Sequence, residues 1–281
     1  MKEKRIAYLL MAPTALVLLV LVGYPIIFNL VISLQEVSLA FGIDSTFNNF
    51  KNYTSVLTDS EFWMSLLTTI LYTGFVVIAS TGLGLFVALM LSRDFYGKKI
   101  ANALILVSYV VPSLASIYIF KYMFDTNYGI VNYFLMDTLS LVEKTPLWFD
   151  KPVLSFCLVT LFAVWRYFPY AYLSFYAILK TIDQSQYEAA MIDGATKFVI
   201  FRKITLPSVM PVLVTVVILR SIWMFYMYTD VALLTNQVDI LGTYMYDKAF
   251  VSNMLGQGAA ISVIMFAFIF PFTRLIRKAI V

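Results

Sequence analysis

Two arginines stand inside tracts that otherwise carry no charge: Arg166 within 152–179 and Arg220 within 204–229. A guanidinium stays protonated in a dry site, and its planar fork of donors fits carboxylate, sulfate or phosphate. Arg166 lies 14 residues before Lys180, roughly 21 Å along a helix, and Arg220 lies 17 after Lys203, roughly 25 Å. Both therefore fall near one depth. Helical spacing extends each into a stripe: Ala163, Arg166, Tyr167 and Tyr170 on one tract, Arg220, Trp223, Met224 and Met227 on the other. A third tract offers Tyr109, Pro112, Ser113 and Ser116. Such stripes either pack against neighbouring helices or line a cavity. Each arginine either meets a ligand or pairs with an acidic group or helix C-terminus of a partner subunit.

The elements that must position these groups follow from hydropathy. The 281-residue chain is 61% hydrophobic and 13% charged, too little charge to coat a soluble domain. Its mean hydropathy is +0.85. Six tracts each meet the roughly 20 residues needed to cross about 30 Å of hydrocarbon. The pattern predicts an all-α integral membrane protein with helices near 6–34, 62–92, 100–122, 152–180, 207–229 and 250–274, in a single domain over 1–281. The first tract is too long for a cleavable signal segment and lacks a small-residue cleavage site, so it reads as a retained helix. Pro25, Pro112, Pro169 and Pro271 lie inside spans, where each frees a carbonyl and permits a bend.

Setting aside Arg166 and Arg220, the 20 Lys and Arg leave 18. Thirteen gather on one side: Lys2, Lys4, Arg5, Arg93, Lys98, Lys99, Lys180, Lys197, Arg202, Lys203, Arg274, Arg277 and Lys278. Five fall on the other: Lys51, Lys144, Lys151, Lys248 and Lys121 at the edge. The bias places both termini in the cytoplasm, and the net charge of +4 reports topology, not nucleic-acid binding. Lys121, 22 residues and roughly 33 Å from Lys99, snorkels outward without a transport role. With one Cys and no His, disulfides, His-based acid–base catalysis and most transition-metal sites are excluded. Paired intramembrane carboxylates, which a membrane-embedded enzyme would want, are absent as well, and every acidic residue lies in a loop or at an edge, whereas an ion-coupled secondary transporter usually wants an Asp or Glu within the membrane. No G-x-x-x-x-G-K-[ST] phosphate loop occurs, so the chain cannot bind ATP in that manner.

One polar stretch interrupts the apolar pattern. In "YEAAMIDGATKFVIFRKITLPSVMP" (187–211), helix-compatible residues from Asp183 to Ile192 meet Asp193-Gly194, after which a helical pattern resumes through Phe198, Phe201 and Ile204. Gly194 supplies the positive φ of a tight corner. Loop 181–206 is thus expected to form two short helices at an angle, lying along the inner surface. Asp193 either caps the second of them or is solvated.

The spacing Glu188-Ala189-Ala190, then Gly194, then Leu206-Pro207 resembles the EAA coupling loop of ATP-binding-cassette (ABC) importer permeases. Further stretches, "IFKYMFDTNYGIVN" (119–132), "PLWFDKP" (146–152) and "WRYFPY" (165–170), are similar to the carbohydrate-importer, MalF-like family. At "LLTN" (233–236) the usual glycine-rich continuation is replaced by "QVDI". The resemblance implies a type I importer fold and the permease subunit of a binding-protein-dependent sugar importer in a bacterial inner membrane. It implies a second homologous permease, an ATPase dimer that binds ATP and Mg, an extracytoplasmic solute-binding protein, surrounding lipid, and no cofactor in this chain. Glu188, Ala189, Ala190, Asp193, Gly194, Leu206 and Pro207 would couple to the ATPase.

By the same resemblance, Tyr109, Ser113, Arg166, Tyr167, Tyr170, Arg220, Trp223, Met224 and Met227 would border the substrate path. Tyr109, Ser113 and Tyr170 keep the family's residue types; the other six depart from them. Two guanidinium groups in place of neutral polar ones suggest an anionic saccharide, a uronate-containing oligosaccharide or glycosaminoglycan fragment. A sugar phosphate or glycerol phosphate is the second choice.

Overall fold

The computed structural model describes residues 2–37, 46–93 and 95–280. Among them, five helices are long and apolar enough to cross a membrane: Tyr8–Ser33, Ser60–Leu91, Pro152–Leu179, Lys197–Phe225 and Leu255–Leu275. The span expected at 100–122 is instead two helices, Lys98–Val110 and Ser113–Met123, meeting at 98°. With 13 and 11 residues, neither half reaches the length a span needs; counted as one broken span, they bring the number to six. The break has a local cause. Pro112 forces Val111 into extended backbone (φ −62°, ψ 135°), and the ladder restarts when Ser116 N–H donates to Pro112 O. The other prolines expected to bend spans, Pro25, Pro169 and Pro271, sit inside helices that continue past them.

The chain divides into two compact units, residues 1–64 with 243–268 and residues 65–242 with 269–281. In the first, a two-residue strand pair sets Gln35 opposite Phe47. Asn52, buried, donates from its amide to Ser33 O (2.9 Å) and Gln35 O (2.8 Å). Gly256 lies so close that a Cβ would stand 2.3 Å from Gln35 O, which restricts this position to glycine. Asp59 binds Tyr244 Oη (2.7 Å) and Lys248 Nζ (2.9 Å).

The second unit carries two apolar cores. One gathers Tyr72, Ile117, Phe120, Phe162, Met224 and Leu234; the other gathers Ala88, Ala171, Tyr172, Phe175, Val209 and Val216. Gly84 lets helices Ser60–Leu91 and Pro152–Leu179 touch, since a Cβ there would lie 2.6 Å from Ala171 Cβ. Lys121 does more than reach for an interface: its Nζ donates to Leu233 O at 3.2 Å, tying helix Ser113–Met123 to helix Thr229–Leu234.

Loop 181–206 departs from the expectation of two separate short helices. Only Gln184–Ile192 stands alone; the second is the beginning of the helix that runs unbroken from Lys197 to Phe225. Pro207 lacks the N–H a regular ladder needs. A widened turn over Phe201–Thr205, closed by Leu206 N–H on Phe201 O, absorbs the mismatch without stopping the helix.

Candidate functional site

The loop's geometry is built by its caps. Asp183 accepts from Ser185 N–H at 3.0 Å and starts helix Gln184–Ile192; that bond holds the Asp183 carboxyl below its ordinary range. At the far end Ala195 N–H reaches Ala190 O (2.9 Å) and Gly194 N–H reaches Met191 O (3.1 Å), with Gly194 at φ +76°. These two bonds are the Schellman arrangement, in which a left-handed residue satisfies the last helical carbonyls. Asp193 is the C-terminal cap of this helix and does not cap the next one. That role falls to Thr196, whose hydroxyl accepts from Val199 N–H at 3.4 Å. Tyr187 Oη lies 3.2 Å from Thr205 Oγ1 and braces the corner.

The corner presents a definite face. Glu188, Ala189, Asp193 and Gly194 are exposed, and Ala190 is half-buried. Met191, Ile192 and Phe198 stand out with them, Ile192 at 87% exposure. Leu206 packs on the core that contains Tyr172 and Phe175, while Pro207 is exposed. The loop is thus anchored at one end and open along the EAA segment.

The stripes are sorted by the structure. Arg166, half-buried, points at the broken helix: its Nη1 donates to Ser108 O (3.3 Å), Val111 O (3.2 Å) and Ser116 Oγ (3.0 Å). Carbonyls at a helix C-terminus lack partners and carry the negative end of the helix dipole, so a guanidinium fits there. The sequence allows each arginine a helix C-terminus of a partner subunit; for Arg166 this chain supplies one itself. Arg220 is 1% exposed. Its Nη2 donates to Tyr167 O (2.9 Å), and its guanidinium lies 4.6 Å from the Tyr170 ring, 4.8 Å from Tyr167 and 5.2 Å from Trp223. Its Nε has no partner. Tyr170 and Trp223 meet edge to face at 5.4 Å.

Not every residue of the stripes reaches open space. Met224 is 1% exposed inside the core around Tyr72, and Met227 packs against the same core. Met224 is thereby enclosed, whereas Met227 is half-buried and borders that core as Tyr167 does. Tyr109 (43%) and Trp223 (45%) are exposed, and Ser113, Arg166, Tyr167 and Tyr170 are half-buried. Hydropathy concealed Asp230, a loop carboxylate by sequence. It is 2% exposed, and Tyr167 Oη donates to its Oδ2 at 2.7 Å. Burial pushes the Asp230 carboxyl above its ordinary range, against the opposing pull of the Tyr167 hydroxyl and Arg166. Its place just beyond the apolar tract that carries Arg220 is the sequence signal for it. Among the described residues no cluster of ligating side chains could hold a metal ion.

Comparison with known proteins gives a consistent picture. A family profile described as "Binding-protein-dependent transport system inner membrane component" matches residues 80–280. The chain is 53% identical over 274 residues to the inner membrane ABC transporter permease protein YcjO of Escherichia coli K12, covering 98% of this chain and 94% of that protein. It is 31% identical over 286 residues to the trehalose/maltose transport system permease protein MalF of Thermococcus litoralis, covering 99% and 94%. Its fold matches a chain of a bacterial ABC transporter involved in the import of the acidic polysaccharide alginate, with a TM-score of 0.81, 15% identity, and coverage of 99% and 96%.

Proposed function

The chain belongs to the family of inner-membrane components of binding-protein-dependent transport systems, and on that premise we propose how it works as a sugar permease. It is an inner-membrane ABC transporter permease subunit, a transport subunit and not an enzyme. Both termini and loop 181–206 face the cytoplasm, in keeping with the thirteen-to-five distribution of basic residues. A second, homologous permease completes the path. A separate ATPase pair binds ATP and Mg, and a solute-binding protein delivers the cargo.

The observation that carries this reading is the open EAA face, capped at Asp183 and turned at Gly194. Glu188 accepts a charge-assisted hydrogen bond from a cation of the ATPase. Ala189 and Ala190 allow close approach, and Met191, Ile192 and Phe198 supply apolar contact. Force applied there enters helix Lys197–Phe225 directly, because that helix starts within the loop. Arg220 and Trp223 sit near its other end. Loaded binding protein and ATP favour the outward-facing state through their differential affinity for it, and hydrolysis restores the inward-facing one.

The cargo is an oligosaccharide that stacks on the exposed Tyr109 and Trp223 and the half-buried Tyr170. An anionic, uronate-containing sugar suits the wall better than a neutral one, since two guanidinium groups, Arg166 and Arg220, meet Tyr167 where one carboxylate, Asp230, binds it. Reconstitution with the cognate ATPase and binding protein tests both levels. Saccharide-stimulated ATP hydrolysis with uptake insensitive to ionophores is expected, and uptake that tracks an ion gradient would overturn the reading. Replacing Arg166 and Arg220 with Gln should weaken uptake of uronate oligosaccharides more than that of neutral ones; equal effects would leave the sugar importer and remove the anionic preference.

A further inference from the structure

Asp230 opens the short helix Thr229–Leu234, and its carboxylate is enclosed. The group it meets is Tyr167, which is also the centre of the cationic cluster. Tyr167 gives its hydroxyl to Asp230 (2.7 Å), its carbonyl to Arg220 (2.9 Å), and its ring to both guanidinium groups, at 4.8 Å for Arg220 and 5.9 Å for Arg166. Two positive charges and one negative charge are thereby arranged around a single phenol. Arg220 in turn lies against Tyr170 and Trp223, the aromatic face turned toward the path.

Asp230 is joined to that face through Tyr167, which binds both Asp230 and Arg220. We infer that Asp230 is a specificity-determining residue: it offsets one of the two guanidinium charges and fixes Tyr167, and so sets how strongly the path discriminates anionic from neutral saccharides. This rests on the reading of the aromatic–arginine wall as the sugar path. The electrostatic part of the effect is separable from the structural part. Asp230→Asn keeps an acceptor for the Tyr167 hydroxyl but removes the charge, whereas Tyr167→Phe keeps the charge but removes the bond. Asp230→Glu keeps the charge on a longer stem.

The test uses the full transporter in proteoliposomes, with maltotriose and a uronate trisaccharide as probes, and reads the ratio of their kcat/KM values for uptake. A charge at roughly 10 Å through an effective dielectric near 20 changes an affinity about tenfold. Asp230→Asn is therefore expected to raise the uronate-to-neutral ratio about tenfold, with Asp230→Glu leaving it near the wild-type value and Tyr167→Phe lowering both rates together. An unchanged ratio in Asp230→Asn, as a protonated carboxyl would give, overturns the inference. So does a ratio in Asp230→Glu displaced as far as in Asp230→Asn, or, should Asp230→Asn fail to assemble, any displacement in Asp230→Glu. These failures, seen with active wild-type protein, would leave the sugar-path reading standing. Wild-type protein that imports neither probe and shows no saccharide-stimulated ATP hydrolysis would sink that reading and this inference with it.

Discussion

Arg166 Nη1 lies 3.0 Å from Ser116 Oγ and 3.2 Å from Val111 O, so one guanidinium holds both sides of the 98° break at Pro112. The sequence offers Arg166 as a ligand for cargo; in this conformation it is first the clasp of a broken helix. Truncation should therefore cost stability as well as transport. Arg166→Ala leaves the Ser108 and Val111 carbonyls short of a donor and is expected to lower stability by about 2–4 kcal/mol. Ser116→Ala removes one bond and should cost about 1 kcal/mol. Thermal unfolding of the detergent-solubilised protein would reveal the order; equal, negligible losses would remove the clasp.

Gly84 makes a second structural test. A Cβ there would fall 2.6 Å from Ala171 Cβ and 2.7 Å from Tyr172 N, whereas nothing lies within 4 Å of one at Gly74 or Gly82. Gly84→Val should destabilise by about 2–3 kcal/mol through overpacking. Gly74→Ala and Gly82→Ala, on the same helix, should be neutral or slightly stabilising. Unfolding midpoints that fail to separate Gly84 from these two would count against the close approach.

The Asp59–Lys248–Tyr244 cluster predicts a pH window. Burial raises the Asp59 carboxyl, but bonds from Tyr244, Lys248 and Glu61 N–H outweigh it and hold it below the ordinary 3.8. Lys248 is lowered by burial and raised by more through Asp59 and Glu61, and ends above 10.5. A depressed carboxyl contributes stability above 3.8 that is lost as pH falls through its folded value. A raised ammonium contributes stability below 10.5 that is lost as pH rises through its own. Stability from this cluster should thus be level between these limits. Asp59→Asn should lower that level by about 1–2 kcal/mol and flatten the acid limb, as followed by unfolding midpoints across pH.

On the coupling loop, Glu188→Lys should abolish solute-stimulated ATP hydrolysis while the subunit still inserts and assembles. Gly194→Ala places a side chain at φ +76° with open space around it, so the only cost is backbone strain, about 1–2 kcal/mol. Stimulated turnover should fall in proportion to the lost corner population, with basal hydrolysis unchanged. Undiminished stimulation in Glu188→Lys would dismiss the docking role.

Much of this was legible in the chain. Apolar length gave the spans, and Gly194 gave its corner, because both are local properties of a segment. Pro112 was legible as a bend, although its 98° angle was not, since it goes with partners remote in sequence, among them Arg166, 54 positions away, which donates to the freed Val111 carbonyl. Met224 and Met227 share the arginine stripe by spacing, yet Met224 is enclosed in the core and Met227 rests half-buried against it. Helical periodicity tells which residues share a face; it does not tell what that face meets.

By itself, then, the sequence determined an all-helical membrane chain with a polar, glycine-turned loop and two charges placed deep in apolar tracts. Those follow from hydropathy, backbone sterics and the 3.6-residue repeat, which need no partner. Only the tertiary structure decided where the two charges go. Arg166 spends its donors on a helix end, Arg220 is sealed against three aromatic rings, and Asp230 is drawn in from a loop to Tyr167. A buried charge is stable only with its partners, and those partners come from helices remote in sequence, so their pairing is fixed by packing and not by any local pattern.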